Sequence, residues 1–359
     1  MEPFRVTAPG RICLFGEHSD YLGLDVIPAA IDLEIELLVN PRRDKIVMVQ
    51  YTDLDQSDEF ELDEILEYQH RRDYLRSAFN VLKRHGIHPA EGMDIKIEGS
   101  IPIAAGLSGS SALTTAAVLA VAHASGKTLD ARELADLAFS AEVLEFGECG
   151  GMQDHHAIAN GGIIHLDLGK NYKVTPLPAQ LGKFVIGDSR EKKEDTLGDL
   201  RMIKSVVEEE YSKLQSEIPS FNRRNTSVGQ VAEVSGKKPD KARTMAEATL
   251  RNRDLTHRAL ELLRTKNPDP QELGRMIQEH HDILRDGLDR STPKIERLIK
   301  AAIDAGALGC KINGSGGGGT MVAYAPNLER EVVHAIQKAG GITYVVGIRQ
   351  GASISKFEQ

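Results

Sequence analysis

The loop formed by residues 102–113 is rich in glycine and serine and has the composition of an anion-binding site. Gly106 and Gly109 stand among three serines, and a strongly apolar run that favours a helix follows at once. Glycines let backbone N–H groups come close to a ligand, and the N-terminus of a helix supplies unpaired donors and a positive dipole end. The pattern therefore favours phosphate, with triphosphate as the usual anion at such loops. A plain helix N-cap built from the same serines is the structural alternative.

A short segment nearby, Ser125-Gly-Lys-Thr, matches the last residues of the P-loop pattern. A P-loop also requires a glycine five residues before the glycine of Gly-Lys-Thr. That position is occupied by Val121. We therefore expect Gly126 to end a helix as its C′ residue and Lys127 to be solvated.

A second glycine-rich loop lies at residues 311–320, with Gly314 and four consecutive glycines at 316–319. So many glycines are costly in conformational entropy, and a simple turn would not need them. The surplus indicates a backbone that is packed close to a ligand or to another backbone. Direct contact with the ligand and support of the phosphate loop are both compatible with this pattern.

Residues 8–21, which we call the first segment because they come first along the chain, bring Glu17, His18 and Asp20 together between two glycines. Clusters of carboxylate and imidazole groups suit polyols, because they offer both acceptors and donors to hydroxyl groups. Taken alone, the segment is more typical of a polar turn.

The elements that must position these loops begin with strands. Four alternating or β-branched runs in the first part of the chain predict a sheet with one covered face. Helices are predicted before and after the glycine–serine loop, and Asp130 with Glu133 resembles a capping box that starts a further helix. The predicted strands are residues 4–8, 31–40, 45–51 and 93–99, and the predicted helices are residues 72–85, 110–124 and 130–146.

The second part of the chain returns to mixed structure after a long helical stretch. Residues 163–168 and 183–189 predict strands, and residues 191–288 are mostly helical with a polar break at 219–238. Helices then follow at 294–305 and 328–339, with strands at 309–312, 320–325 and 343–348. Strands, then helices, then strands predict an α+β protein of two lobes, residues 1–180 and 181–359.

The composition is that of a soluble globular protein. Of 359 residues, 41% are hydrophobic and 27% charged, and the net charge of -9 gives no electrostatic reason to expect nucleic acid or an anionic membrane as partner. Three cysteines without paired spacing indicate a reducing compartment. Because no apolar run suits a signal peptide or a membrane span, we expect a cytoplasmic protein. The oligomeric state stays open.

Together, residues 8–21, 102–113 and 311–320 resemble the three signature motifs of the GHMP kinases in order and spacing. These enzymes phosphorylate galactose, homoserine, mevalonate and related small alcohols. The resemblance covers essentially the whole chain and implies ATP as co-substrate. It also implies a two-lobed fold, with a ribosomal-protein-S5-like N-terminal lobe, a ferredoxin-like C-terminal lobe and the active site between them.

Within this family the first segment looks most like the galactokinase signature. By that resemblance Glu17, His18 and Asp20, together with Gly151, would hold a sugar. Arg11 would lie beside the nucleophilic hydroxyl group and the transferring phosphate. A guanidinium group suits this place because it stays protonated and can bind two oxygens at once.

Residues 141–154 match the galactokinase stretch that holds the catalytic aspartate, which makes Asp154 the candidate base. The same resemblance makes Ser110 and Glu142 ligands of Mg²⁺, a cation that prefers oxygen and binds through few side chains. Such a set is sufficient because phosphoryl transfer depends mainly on positioning and charge neutralisation. The residues implied to bind ATP are Ala104, Ala105, Gly106, Leu107, Ser108, Gly109, Ser110 and Ser111.

Several departures from galactokinases keep other acceptors open. Galactokinases have glutamine where this chain has His155, no tyrosine matches the one that they place against the sugar, and the third motif looks closer to mevalonate kinases. The expected reaction transfers the γ-phosphoryl group of ATP to a monosaccharide hydroxyl, the anomeric 1-OH. The alternatives are a mevalonate-type or other small-alcohol kinase, and a catalytically silent sensor that binds sugar or nucleotide.

Two histidine pairs, 155–156 and 280–281, lack the further spaced ligands of a metal site. Neighbouring residues of a helix do not share a face, so we expect His280 and His281 to be solvated or packed.

Overall fold

A computed structural model describes residues 2–62, 65–192, 195–235 and 239–356. In this part of the chain, twelve strands form two sheets and ten α-helices pack around them. The strands are β1 (Phe4–Phe15), β2 (Ile27–Pro41), β3 (Ile46–Tyr51), β4 (Gln56–Glu61), β5 (Met93–Gly99), β6 (Ile163–Asp167), β7 (Lys173–Leu177), β8 (Lys183–Asp188), β9 (Gly309–Ile312), β10 (Thr320–Tyr324), β11 (Ile342–Gly347) and β12 (Ser353–Lys356). The helices are α1 (Tyr74–Arg84), α2 (Gly109–Ala124), α3 (Ala131–Phe139), α4 (Gln153–Asn160), α5 (Thr196–Glu217), α6 (Val228–Ser235), α7 (Lys241–Leu263), α8 (Pro270–Asp282), α9 (Pro293–Asp304) and α10 (Glu329–Lys338).

The first sheet has eight strands in the order β12-β1-β2-β5-β3-β4, with β6 beside β2 and β7 beside β6. Its neighbours are antiparallel except for the parallel pair of β3 and β5. The register of the long β1–β2 pair shifts between Pro9 and Gly10, directly before Arg11. Such an irregularity bends a strand and redirects a side chain, and it commonly lies beside a functional site.

The second sheet has four antiparallel strands in the order β11-β8-β10-β9. Its central strands, β8 and β10, are almost completely buried, as their unbroken apolar runs require. Helices α8, α9 and α10 pack against this sheet.

Helix α2 lies in the core against β1 and β2 and contacts α1, α3 and α4. Its buried alanines let neighbouring backbones approach closely. The helix ends as predicted, because Gly126 adopts a φ of 72° and donates its N–H to the carbonyl oxygen of His123. Lys127 is exposed. The burial of α2 fixes its N-terminus, and with it the glycine–serine loop, at one end of the core.

Helix α3 begins at the predicted capping box, since the Asp130 side chain accepts from the Glu133 N–H and the Glu133 side chain accepts from the Asp130 N–H. Its last residues continue into a π-helical turn, Ser140–Leu144. π-Turns widen a helix locally and often occur at functional sites. This turn carries Glu142.

The predicted α+β class and the succession of its main elements are confirmed. The sequence patterns miss β4, β7 and β12, because each is a largely exposed edge strand without a continuous apolar face. The polar break predicted at residues 219–238 contains α6. Residues 193–194 and 236–238 of the predicted helical stretch lie outside the described residues.

The lobe boundary at residue 180 stays a prediction. The first strand of the second sheet begins at Lys183, and β12 returns from the end of the chain to pair with β1 in the first sheet.

His280 and His281 are packed rather than solvated, and both are fully buried. Nδ1 of His280 lies 3.1 Å from the Leu14 carbonyl oxygen, and its ring stacks on Phe15. Nε2 of His281 lies 2.9 Å from the carboxylate of Glu296. Among the described residues, no group of three or more His, Cys, Asp or Glu side chains is placed to hold a metal ion.

The fully buried His156 should make the fold sensitive to acid. Burial, followed by electrostatic repulsion from the His155 and Arg132 side chains, lowers the pKa of His156 to about 4. The unfolded chain takes up this proton below about pH 6.5 and the folded chain does not, so stability falls as pH falls through this window. Urea unfolding should show that His156→Phe, which keeps the ring packed on Tyr172, removes about 2 kcal/mol of the loss between pH 7 and pH 5.

The exposed His334 provides the matched control. His334→Gln should leave the pH dependence unchanged. An identical pH dependence for His156→Phe and the wild-type protein would contradict the prediction.

Candidate active site

A cavity of about 890 Å³ opens where the three predicted loops meet. Most of the residues predicted to form the site line its wall. Leu107 differs, because its side chain is buried in the core, while its carbonyl oxygen accepts the N–H of Arg11 at 3.1 Å. The predicted residues that line the cavity are Arg11, Glu17, His18, Asp20, Ala104, Ala105, Gly106, Ser108, Gly109, Ser110, Ser111, Glu142, Gly151 and Asp154.

Arg11 and Asp154 form a bidentate ion pair at the centre of the wall. Nε of Arg11 donates to Oδ1 of Asp154 at 2.7 Å, and Nη2 donates to Oδ2 at 3.0 Å. Nη1 of Arg11 donates to the carbonyl oxygen of Gly106 at 2.7 Å. The hydroxyl of Ser108 donates to Oδ2 of Asp154 at 2.7 Å. The first segment, the glycine–serine loop and the first turn of α4 are thereby joined at one point.

This arrangement keeps both partners charged. Burial alone would raise the pKa of Asp154, but the Arg11 charge and the Ser108 hydroxyl together hold it below its ordinary value. Burial works against the charged form of Arg11 as well, but the carboxylates of Asp154 and Glu17 outweigh it and raise the pKa of the guanidinium. Asp154 is therefore an anion and a weak base until a substrate changes its surroundings.

The N-terminus of α2 is left open toward the cavity. Ser108, the residue before the helix, adopts a left-handed conformation and makes no side-chain capping bond, since its hydroxyl donates to Asp154 instead. The simple N-cap interpretation of these serines is therefore wrong. The N–H groups of the first helical turn lack this cap, and together with the helix dipole they suit an anion such as phosphate.

The second glycine-rich loop supports the glycine–serine loop from behind. Asn313 Nδ2 donates to the Gly106 carbonyl oxygen at 2.8 Å, and the Thr320 hydroxyl donates to the Ala105 carbonyl oxygen at 2.8 Å. Gly314 has a φ of 73°, and a Cβ there would lie 2.8 Å from the Gly106 carbonyl oxygen. Only glycine allows this approach without strain. Gly314 also lines the cavity. Support of the glycine–serine loop is therefore observed, and direct contact with a ligand stays a prediction.

Glu17 and His18 are buried in one part of the cavity wall, in residues 16–21. We call this part the acceptor end and these residues the acceptor loop, after the role that we propose for them. Oε2 of Glu17 lies 3.0 Å from the Lys311 ammonium and accepts the Gly314 N–H at 2.9 Å. His18 has a φ of 65°, and its Nδ1 lies 2.8 Å from the hydroxyl of Tyr21.

Asp20 is held by backbone donors. Oδ1 accepts from the N–H of Tyr21 at 2.9 Å, and Oδ2 accepts from the N–H of Gln153 at 3.3 Å. A Cβ at position 151 would lie 2.1 Å from Oδ2 of Asp20, so Gly151 is required for this carboxylate to fit. Burial, followed by the negative charge of Asp154, raises the pKa of Asp20 to about 6.

The predicted magnesium ligands Ser110 and Glu142 lie in the same cavity wall. Oε2 of the buried Glu142 lies 2.7 Å from Nε2 of His155, in the place where galactokinases have glutamine. The carboxylate has a second oxygen, and Ser110 is exposed in the first turn of α2. This donor set fits Mg²⁺, which needs few protein oxygens when phosphate supplies others.

Several residues of the site escaped the sequence analysis. Lys311 and Asn313 lie inside the third motif, where the glycines dominated the pattern, and a lysine within an apolar strand was the available signal. Asn252, in α7, donates from Nδ2 to the Glu17 carbonyl oxygen at 2.8 Å. No local pattern indicates that contact, since it joins residues 235 positions apart.

The family relationships agree with this geometry. Residues 73–162 match the GHMP kinases N terminal domain, residues 259–342 match GHMP kinases C terminal, and residues 1–41 match the galactokinase galactose-binding signature. The chain is 31% identical to the mevalonate kinase of Pyrococcus furiosus over 366 residues, which cover 98% of each chain. It is also 31% identical to the galactokinase of a Roseiflexus species over 327 residues, which cover 89% of this chain and 82% of the relative.

A small-molecule kinase is the class of protein that these relationships and the site define. The chain belongs to the GHMP kinase family. Members of this family use ATP as co-substrate and phosphorylate sugars or other small alcohols.

Solved structures confirm the predicted two-lobed fold. Lactococcus lactis galactokinase, complexed with galactose, superimposes with a TM-score of 0.86 at 23% identity, covering 99% of this chain and 95% of that one. The mevalonate kinase of Methanococcus jannaschii gives a TM-score of 0.74 at 21% identity, with coverages of 96% and 98%. Within the described residues, no helix has the length and apolar character needed to cross a membrane.

Asp154→Asn should lower kcat by about 100-fold or more, because a neutral amide can neither take the proton of the acceptor hydroxyl nor hold Arg11 by two charged bonds. The KM values for both substrates should change little. Steady-state kinetics with purified variants would check this.

Arg11→Lys gives the complementary comparison, since an ammonium loses the bidentate geometry but keeps the charge. It should lower kcat more than it raises the KM for the acceptor. Near wild-type turnover by Asp154→Asn would remove Asp154 as the base, and a pure KM effect for Arg11→Lys would place Arg11 in ground-state binding.

The titration of Asp20 should make kcat/KM for the acceptor depend on pH. A carboxylate with a pKa of about 6 is ionised above that pH and loses its charge below it, so its capacity to accept hydrogen bonds from hydroxyl groups falls as pH falls. The ratio of wild-type to Asp20→Asn kcat/KM for the acceptor should drop up to tenfold per pH unit below about pH 6. Taking the ratio cancels the titration of ATP.

The same variant has a second expected readout. Because the raised pKa means that ionised Asp20 is destabilised by its surroundings, Asp20→Asn should increase the free energy of unfolding at pH 7.5 by roughly 1–3 kcal/mol. Parallel pH profiles together with unchanged stability would show that Asp20 is not strained by its neighbours.

Proposed function

We propose that this protein is an ATP- and Mg²⁺-dependent sugar kinase that phosphorylates a monosaccharide, at its anomeric 1-OH. The observation that most directly supports this proposal is a single cavity whose wall includes Arg11, Glu17, His18, Asp20 and Asp154. Such a wall offers many acceptors to the hydroxyl groups of a neutral polyol. The match of residues 1–41 to the galactokinase galactose-binding signature supports this proposal.

The charges favour a neutral acceptor over a carboxylated one. Two buried cations among the described residues at the acceptor end are already neutralised, since Arg11 binds Asp154 and Lys311 binds Glu17. Asp20 adds a further carboxylate beside them. A carboxylated acceptor such as mevalonate would meet net negative charge here, which costs binding free energy unless a cation compensates it.

In the proposed reaction, the acceptor hydroxyl lies beside Asp154 and Arg11. Because the pKa of Asp154 is lowered, this carboxylate first orients the hydroxyl. It takes the proton late, as the new oxygen–phosphorus bond forms and the bond from the γ-phosphorus to the bridging oxygen breaks, releasing ADP. The second charge-assisted partner of Arg11 would be the transferring phosphoryl group, whose oxygens a guanidinium can bind in pairs. The N–H groups at the start of α2 would hold the remaining phosphates.

Mg²⁺ would be held by the hydroxyl of Ser110 and the carboxylate of Glu142, and it would neutralise charge on the phosphate chain. His155 fixes one oxygen of Glu142, so the chain orients this ligand through a second residue. Apolar and aromatic side chains also line the cavity and suit the nucleotide base, namely Tyr51, Leu54, Ile97 and Ile101.

A mevalonate-type kinase is the second candidate, because the mevalonate kinase of Pyrococcus furiosus aligns over 98% of both chains. Its identity of 31% equals that of the Roseiflexus galactokinase, so identity does not separate the two acceptors.

Consumption of ATP should be measured with Mg²⁺ and a panel of galactose, glucose, arabinose, galactosamine, glucuronate, heptose and mevalonate. We expect turnover of a neutral monosaccharide, with the product phosphorylated at its anomeric carbon as shown by ³¹P NMR. The matched control is Asp154→Asn, which should be inactive with every acceptor.

Turnover of mevalonate alone would contradict the sugar proposal and the charge argument behind it. If no acceptor stimulates ATP consumption while the protein still binds nucleotide, the result would favour a catalytically silent sensor. Phosphorylation of a sugar at another hydroxyl would keep the class and correct the position.

A further inference from the structure

Lys311 carries a buried charge that the proposed reaction does not use. It lies in β9 and is 1% exposed, although lysine is rarely found fully buried. Its ammonium donates to the Cys13 carbonyl oxygen at 2.8 Å and to Oε2 of Glu17 at 3.0 Å. Both of these partners come from the first segment of the chain, about 300 residues away.

A buried ion pair is weak evidence for a stabilising role. Its desolvation cost offsets much of its attraction, and apolar side chains of similar volume often stabilise a core equally well. Glu17 also has limited freedom, because Oε2 accepts the N–H of Gly314 at 2.9 Å in addition to the ammonium. The pair therefore fixes the side chain at the start of the acceptor loop against β9 and the second glycine-rich loop.

The backbone of the acceptor loop is held from the same side. Asn252 Nδ2 donates to the Glu17 carbonyl oxygen at 2.8 Å and lies 3.2 Å from the Ser19 hydroxyl. The loop also makes its own short turns, through the N–H groups of Ser19 and Leu24. Further support for the loop comes from the Gln153 N–H, which donates to Asp20 at 3.3 Å, and from two arginines of residues 223–224, which donate to the carbonyl oxygens of residues 22 and 23. Its conformation is demanding, since His18 has a positive φ.

We propose that Lys311 is a positioning residue of the acceptor site, which holds the acceptor loop in its binding conformation through Glu17. The inference rests on the proposed function in so far as this loop binds the acceptor. Lys311 also neutralises Glu17, so that Arg11 is shared by fewer carboxylates and stays paired with Asp154. Loss of Lys311 should therefore weaken acceptor binding more than ATP binding.

Three variants separate positioning from simple structural support. Lys311→Met leaves a buried carboxylate unpaired, and Glu17→Gln leaves a buried ammonium unpaired, so both should lower the midpoint of urea unfolding. The double variant Glu17→Gln/Lys311→Met removes both charges, and its midpoint should return close to that of the wild-type protein. Lys127→Met, at an exposed lysine, is the matched control and should behave as wild type.

The double variant should remain impaired although its stability is restored. We expect faster amide hydrogen exchange at residues 19–24, by about tenfold or more, with unchanged exchange in α2. With galactose as acceptor, the KM for the sugar should rise about tenfold or more in Lys311→Met, which keeps the Glu17 carboxylate, as well as in the double variant, while the KM for ATP stays within about twofold. Lys311→Arg, which keeps the charge and the donor, should retain most of the acceptor affinity.

Wild-type exchange rates and a wild-type KM for galactose in the double variant would overturn the inference, since the pair would then be only structural. Equal increases in both KM values would overturn it as well. If the wild-type enzyme does not turn over galactose, the proposed sugar specificity fails for that acceptor. The exchange rates, which need no substrate, then decide the positioning role alone.

Discussion

A guanidinium group is tolerated in a protein interior only when its donors are met, and this condition governs the site around Arg11. Its partners are the carboxylate of Asp154 and the carbonyl oxygen of Gly106. Each partner must itself be fixed. Asp154 is held by the Ser108 hydroxyl and by its place in the first turn of α4, and the Gly106 carbonyl oxygen is held by Asn313. One side chain thus constrains four segments that are distant in the sequence.

The acceptor end concentrates acidic groups, and this distribution has a cost. Three carboxylates, Glu17, Asp20 and Asp154, share two buried cations, so one of them must remain poorly compensated. The raised pKa of Asp20 identifies that group. A site arranged in this way is less stable than an apolar core would be, and it gains acceptors for hydroxyl groups in exchange, as is common where function and stability compete.

The sequence was informative where a local pattern narrowed the physical explanations. Small residues before an apolar helix predicted where α2 begins, and the glycine run predicted the close backbone contact that Gly314 makes with Gly106. It was not informative about contacts made across the chain. That Ser108 bonds to Asp154 instead of capping α2 depends on how α2 packs against α4. That Glu17 meets Lys311 depends on how the two sheets lie against each other. The edge strands escaped because exposed polar residues carry little periodicity.

The place of β12 at the edge of the first sheet affects the order in which the chain can be completed during synthesis. β1 is synthesised before the other described strands, yet its outer neighbour is Ser353–Lys356. The backbone groups of Phe4–Thr7 on that side therefore wait until all of those strands have been made. An unpaired edge is a template for association with other chains. A nascent chain that stalls late in translation would expose this edge beside an otherwise formed lobe, and such chains are natural targets for chaperones.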